Sequence, residues 1–324
     1  MNLSVIIPVF NEEKNLEILC QELINVLDKL ETELEIIFID DGSTDKSFNI
    51  LSDLQKNDDR IEVVRLRKNF GQTAALSAGF DRARGDFIVT LDADLQNDPE
   101  DIPKLLDKLK DGYDLVNGWR FDRKDHFLSR RLPSVVANKI ISISTSVKLH
   151  DYGCTLKAFK KELIKNIRLY GEMHRFIPAI ASGIGASITE LKVNHRERRF
   201  GKSKYGIFRT TRVILDLITV KFLLSYASRP IQIFGLLGFF CEITGFGILL
   251  YLIAQRQLFD MPLANRPLLL FSILLVFMGL QFITLGLLGE LQARTYHETQ
   301  NKPIYVIKKI LKNEDRDDDP ITGN

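Results

Sequence analysis

Phe87-Ile-Val-Thr-Leu-Asp-Ala-Asp-Leu-Gln-Asn-Asp-Pro-Glu100 is the stretch whose reading decides the fold. It opens as an apolar run that reads as a buried strand over 87–91, with Asp92 and Asp94 at its carboxyl end. A loop follows, then a helix expected from Pro99, since proline suits the first helical turn. In an open α/β sheet, ligands bind beyond the carboxyl ends of the strands. Two aspartates one residue apart at such a point offer hard oxygen ligands to a divalent cation. Solvated tails also carry such triplets, as in Asp317-Asp318-Asp319, so the motif needs support from the rest of the chain.

That support comes from both sides. Upstream, residues 3–9, 34–39 and 61–66 are short β-branched runs, and helical patterns cover 12–30 and 71–83. The turn Asp40-Asp41-Gly42-Ser43-Thr44-Asp45 lies between, with Ser43 or Thr44 expected to cap the next helix. Downstream, a helix is expected over 99–110 and a fifth strand over 115–118. Strands alternating with helices predict a parallel, doubly wound sheet. Three strand ends then carry acid or amide groups: Asn11 and Glu12, Asp40 and Asp41, Asp92 and Asp94. Their recurrence on one edge points to a nucleotide-diphosphate and metal site. Asp98 and Glu100 read instead as acids favoured at a helix N-terminus. No Gly-x-Gly-x-x-Gly follows the first strand, which argues against a dinucleotide oxidoreductase.

Among 324 residues, 44 Lys and Arg nearly balance 42 Asp and Glu, so nucleic acid is not suggested as a partner. The cysteines, Cys20, Cys154 and Cys241, have neither zinc-ligand nor disulfide-framework spacing. The opening residues read as a first strand, lacking the basic and apolar regions of a signal peptide. Residues 231–253 and 267–289 are apolar runs, each reaching the roughly 20 residues that span a bilayer as helix. Lys202, Lys204, Arg209, Arg212, Lys221 and Arg229 precede the first run. Arg294, Lys302, Lys308, Lys309 and Lys312 follow the second, while the loop over 254–266 has Arg256 and Arg266. This bias predicts a two-pass hairpin with the large domain and the tail in the cytoplasm. Residues 205–228 read as interfacial amphipathic helix. Glu242, near the middle of the first span, is expected to bond Gln281 or to face a subunit contact.

Ser4-Val-Ile-Ile-Pro-Val-Phe-Asn-Glu-Glu13, Ile39-Asp-Asp-Gly-Ser-Thr-Asp45 and Leu91-Asp-Ala-Asp-Leu-Gln96 resemble the signature of family-two, GT-A-fold glycosyltransferases. Asp151-Tyr-Gly-Cys-Thr-Leu-Lys-Ala-Phe159, His195-Arg-Glu-Arg-Arg-Phe-Gly-Lys-Ser-Lys-Tyr205 and the paired apolar runs are similar to polyprenyl-phosphate glycosyltransferases. Within that class the likeness is to undecaprenyl-phosphate transferases of the 4-formamido-arabinose type, with dolichyl-phosphate mannose synthases as relatives. It spans about residues 3 to 310.

The resemblance implies inverting transfer of a sugar, from a nucleotide diphosphate (UDP favoured) to a polyprenyl phosphate. It implies that Pro8, Phe10, Glu12, Ile39 and Asp41 frame the nucleoside, and that Asp92 and Ala93 lie against ribose and phosphate. Asp94, with Gln96, would hold Mg²⁺ or Mn²⁺. Arg120, Arg130, Ser134 and Ser203 would meet the acceptor phosphate, and Arg198 and Lys204 the donor diphosphate or that phosphate. Some family members carry an aspartate at the position of Thr155, read there as a base; here the nearby acid is Asp151. Asp151 is expected to orient Lys157 or the donor sugar. The expected organisation is a GT-A Rossmann-like catalytic domain over 1–202, interfacial helices over 203–230, spans over 231–253 and 267–289, a loop over 254–266, and a tail over 290–324. A homo-oligomer, tetramer favoured, in the inner plasma membrane completes the expectation. The alternatives are a processive polysaccharide synthase and a non-catalytic scaffold. The first typically has Gln-x-x-Arg-Trp, whereas the single tryptophan here is Trp119 in another context.

Overall fold

The computed structural model describes residues 2–30, 32–121, 147–169, 173–197, 199–200, 231–259, 262, 266–299 and 303–312. The chain divides into two units, Met1–Leu217 with Pro303–Asn324, and Ile218–Lys302.

The first unit is built on an eight-stranded sheet in the order β7-β5-β6-β4-β1-β2-β3-β8. In chain order its elements begin β1 (Asn2–Val9), α1 (Leu16–Leu27), β2 (Glu33–Asp40), α2 (Ser47–Asn57), β3 (Ile61–Leu66), α3 (Gln72–Arg82) and β4 (Phe87–Thr90). A 3₁₀ turn at Pro99–Asp101 leads into α4 (Ile102–Lys110), and β5 (Leu115–Arg120) follows. Beyond these come β6 (Lys157–Lys160), α5 (Lys161–Lys165), a 3₁₀ turn at Met173–Phe176, α6 (Ile177–Gly183) and β7 (Ile188–Val193). β8 (Ile307–Leu311) closes the far edge.

The apolar runs become the central strands because helices cover both faces, and such strands need apolar side chains on both sides. Val5, Ile6 and Ile7 of β1 and Ile36 to Ile39 of β2 are accordingly all sealed from solvent. The expected parallel order holds for β4-β1-β2-β3 and for β5 with β7. It fails at two strands. β6 runs antiparallel between β4 and β5, and β8 runs antiparallel along β3. The sheet is mixed because β6 enters between β4 and β5 and β8 adds to the free edge of β3, each against the direction of its neighbours. Part of the region read as a tail is thus a sheet edge, held also by Tyr305 Oη donating to Asp81 at 2.9 Å.

The expected cap of α2 is also different. Ser43 Oγ accepts the Asn11 N–H at 3.0 Å, and the helix starts later, at Ser47, whose N–H goes to Asp45 at 2.9 Å. Gly42 allows that turn: its φ is +69°, and a Cβ there would sit 2.5 Å from the Lys68 backbone.

The second unit contains α7 (Ile231–Phe259) and α8 (Pro267–Thr299). Both are long and apolar enough to cross a membrane, and only 17% and 11% of their apolar windows are buried. A core helix of a soluble protein would be largely covered; these mark a membrane protein. Small residues set their contact, since a Cβ on Gly238 would lie 2.7 Å from Gly279 O and one on Gly279 would lie 2.8 Å from Glu242 Cγ. Among the described residues Glu242 makes no hydrogen bond to Gln281. It is half-buried against Gly279, while Gln281 is exposed, because the two residues lie on different faces of the pair.

Candidate active site

The carboxyl ends of β1, β2, β4 and β5 bring the predicted groups to one edge. Asp41, at the end of β2, is buried and accepts the N–H groups of Phe70 and Gly71 at 2.7 and 2.9 Å. Burial raises its pKa above the ordinary carboxylate value, aided by Asp40 and opposed by those two hydrogen bonds. Asp41 thereby fixes the loop ahead of α3. Pro8, Phe10 and Glu12 are half-buried at the end of β1, and the Glu12 carboxylate accepts from Asn15 Nδ2 at 2.6 Å. Ile39 and Ala93 are buried, so their main chains rather than their side chains border the edge.

After β4 the chain turns sharply. Leu95 has φ of 63°, a left-handed conformation costing on the order of 1–2 kcal/mol for a residue with a Cβ. The turn folds the Gln96 N–H onto Asp94 Oδ1 at 3.1 Å, while Gln96 O accepts the Arg196 N–H at 2.8 Å. Asp92 is clamped from two sides: Gln72 Nε2 donates to Oδ1 at 2.8 Å and Thr155 Oγ1 to Oδ2 at 2.7 Å. Thr155 accepts in turn from Asn97 Nδ2 at 3.0 Å. Asp98 caps the following 3₁₀ turn through the Glu100 N–H, as read, and also pairs with Arg196 at 2.7 Å.

The loop that brings Thr155 to Asp92 also brings Asp151 to Arg120. The guanidinium donates from Nε at 2.7 Å and from an Nη at 2.9 Å, a fork-to-fork pair. Burial works against the Arg120 charge, and Asp151 outweighs it, so the group titrates above its ordinary value. Asp151 therefore orients Arg120, where the expectation was that it orients Lys157 or the donor sugar. Lys157 points from β6 into the loop, its ammonium bonded to Asn117 Oδ1 and to the carbonyls of Cys154 and, at 3.3 Å, Tyr152.

Arg130, Ser134, Arg198, Ser203 and Lys204 lie outside the described residues, as does the interfacial segment 205–228. Gln72, Asn97 and Asn117 were not anticipated; each belongs to an element whose sequence gives no hint of what it touches. Nor was the Thr73–His174 hydrogen bond of 2.8 Å, which ties the start of α3 to the segment before α6.

For a metal, the donor set is hard oxygen on a tight turn. Among the described residues no three acidic, His or Cys side chains converge, so an ion here would complete its shell with diphosphate and water. Mg²⁺ is commonly bound that way, through one or two carboxylates plus substrate phosphates.

Glycosyl transferase family 2 matches residues 4–168. The chain is 42% identical over 315 residues to a dodecaprenyl-phosphate galacturonate synthase of Rhizobium johnstonii, covering 96% of this chain and 93% of that one. It is 39% identical over 315 residues to an undecaprenyl-phosphate 4-deoxy-4-formamido-L-arabinose transferase of Shewanella sediminis, with the same coverage of 96% and 93%. Among solved structures it is similar to glucosyl-3-phosphoglycerate synthase of Mycobacterium tuberculosis in complex with Mn²⁺, UDP and glucosyl-3-phosphoglycerate. The TM-score is 0.54 at 19% identity, covering 68% of this chain and 79% of that one, a likeness of fold. The sheet, the strand-end carboxylates and these matches agree that the chain belongs to glycosyl transferase family 2.

Proposed function

We propose that this protein moves one sugar from a nucleotide-diphosphate sugar, with UDP favoured, onto the phosphate of a polyprenyl lipid. The observation that carries the reading is the loop 151–155, which touches both halves of the site. Thr155 meets the Asp92 carboxylate at 2.7 Å, and Asp151 meets Arg120 at 2.7 Å. An acidic donor half and a basic acceptor half are thereby tied to one short segment. The names of the two full-length relatives add support for the polyprenyl-phosphate class.

A phosphate monoester carries about 1.5 to 2 negative charges near neutrality. Its oxygen can attack the anomeric carbon directly, forming the new C–O bond as the bond to the diphosphate breaks, with inversion. Arg120 would hold that phosphate, its fork aimed by Asp151. With both carboxylate oxygens engaged by a guanidinium, Asp151 is a poor proton acceptor, and an ionised nucleophile needs none. Asp94 with Gln96 would hold Mg²⁺ or Mn²⁺, whose chemistry is to offset charge on the leaving diphosphate. Asp92, oriented by Gln72 and Thr155, would accept from the nucleotide's ribose.

Location and assembly belong to the same reading. Basic residues flank the apolar runs on one side, which supports an inner-membrane hairpin with the catalytic unit in the cytoplasm. A two-helix hairpin with so little of itself buried supports a homo-oligomer, tetramer favoured. The experiment is to incubate membranes bearing the protein with radiolabelled UDP- and GDP-sugars and extract the lipid. One sugar should label a polyprenyl phosphate; label in a polymer would favour a processive synthase, and no label with any donor would oppose transfer.

A further inference from the structure

Lys157 is an unusual group to find inside a sheet. It is 3% exposed, on β6, between β4 and β5, and points toward the loop that lines the site. A buried ammonium is costly unless each N–H finds an acceptor. This one has three oxygens around it: Asn117 Oδ1, Cys154 O and Tyr152 O. Three acceptors match the three donors of an ammonium. A neutral amine, with two N–H groups and a lone pair, would leave one of these oxygens facing a lone pair.

Those oxygens belong to the segment that shapes the site. The carbonyls of Tyr152 and Cys154 flank Gly153, whose N–H bonds Asp151 Oδ1 at 3.1 Å. Asn117, besides holding Lys157, donates to Asp151 O at 2.8 Å. One residue after Cys154, Thr155 reaches Asp92 and Asn97. There is no slack on the strand side either, since a Cβ on Gly118 would stand 2.7 Å from Leu156 O and 2.8 Å from Cys154 Sγ.

We propose that Lys157 is a positioning residue whose buried charge holds loop 151–155 in register, so that Arg120 on the acceptor side and Asp92 on the donor side are aligned together. The proposal rests on the transfer reading above. The titratable and charged groups near it are Asp151, Arg120, Asp92 and the Cys154 thiol, with Tyr152, His174 and Arg175 around the adjoining small cavity. Burial, with Arg120 adding to it, pushes the Lys157 pKa down to about 8, against the pull of Asp151 and Asp92. The Cys154 thiol is pushed up to about 11 by burial and stays neutral over the same range. Turnover should therefore fall as pH rises through about 8, where Lys157 gives up its proton and the loop loses its tether.

The test compares wild type, Lys157→Met and Lys157→Arg in the lipid-transfer assay from pH 6 to pH 10, with Mn²⁺-dependent UDP binding measured alongside. Lys157→Met should lower kcat about 100-fold, the loss expected from misplacing groups by about 1 Å. UDP binding should weaken less than kcat falls, because Asp92 loses part of its alignment while the Asp94 turn is untouched. Lys157→Arg, whose guanidinium keeps its charge, should recover part of kcat and lose the alkaline decline. If wild type transfers sugar but Lys157→Met keeps its kcat, or Lys157→Arg keeps the decline near pH 8, the proposal is overturned. Should Lys157→Met fail to fold, the pH profile of Lys157→Arg decides alone. If wild type itself transfers nothing, it is the transfer reading that fails.

Discussion

Glu35 and Asp92, at opposite edges of the sheet, are held in opposite ways. At the amino edge Glu35 receives Ser4 Oγ at 2.6 Å, the Arg84 N–H at 2.7 Å, and Arg84 Nε and Nη at 3.0 and 2.8 Å. Burial would raise its pKa, but the Ser4 and Arg84 hydrogen bonds outweigh that and hold it below the ordinary carboxylate value. At the carboxyl edge Asp92 is held by the neutral side chains of Gln72 and Thr155, and Asp94 by a backbone N–H. A carboxylate met by a guanidinium fork has its charge answered within the fold. The Gln72 amide and the Thr155 hydroxyl orient Asp92 without bringing a charge of their own. Glu35 is a staple; Asp92 suits a cation and a nucleotide.

Substitutions can break this contrast. The largest effect is expected from Asp94→Asn, which should lower kcat on the order of 10³-fold, the scale for losing charge stabilisation of a leaving group. Its melting temperature should stay near wild type; a large drop would make Asp94 a staple as well. Glu35→Gln should do the reverse, costing about 1.5–3 kcal/mol in denaturant unfolding because the buried position loses its charge-assisted hydrogen bonds from Ser4 and Arg84. Its turnover should be unchanged. The pH sign follows from the lowered pKa: the Glu35 contribution is full above the ordinary carboxylate pKa and is lost as pH falls through the folded value. Acid sensitivity should therefore diminish in Glu35→Gln.

Asp151→Asn should cost about 10- to 100-fold in kcat/KM for the lipid acceptor, the range for losing a hydrogen bond to a charged group. Measurable turnover should remain, since the guanidinium can still bond an amide oxygen. Complete loss with donor binding intact would make Asp151 an essential base. The smallest effect is expected from Thr155→Val, which keeps shape and removes the hydroxyl between Asp92 and Asn97. A rise of about fivefold in donor KM is expected, the equivalent of one hydrogen bond of roughly 1 kcal/mol. An equal change in acceptor KM would mean the loop couples the halves more tightly than that one bond.

The contrast also separates what was legible in the sequence from what was not. β1 to β5 were readable because each is a run of apolar residues that must be buried, and the carboxylates after them are adjacent in sequence. Ile61–Leu66 was placed to the residue. β6, β7 and β8 were not, because their pattern is short or half-exposed and their partners are distant, as with Val63 opposite Leu311. The same holds within the site. Asp92 and Asp94 announce themselves, but Gln72 and Thr155, which aim Asp92, come from elements 20 and 63 positions away. Glu242 and Gln281 were matched by depth along two helices, and depth says nothing of which face each residue is on.

The most direct measurement counts products. Purified protein in lipid vesicles, given Mn²⁺, the donor sugar identified by the panel and undecaprenyl phosphate, should release one nucleoside diphosphate for each sugar that becomes lipid-linked. Release should stop when either the lipid phosphate or the metal is withdrawn. Nucleoside diphosphate released without lipid phosphate, or several sugars accumulating on one lipid, would contradict the account.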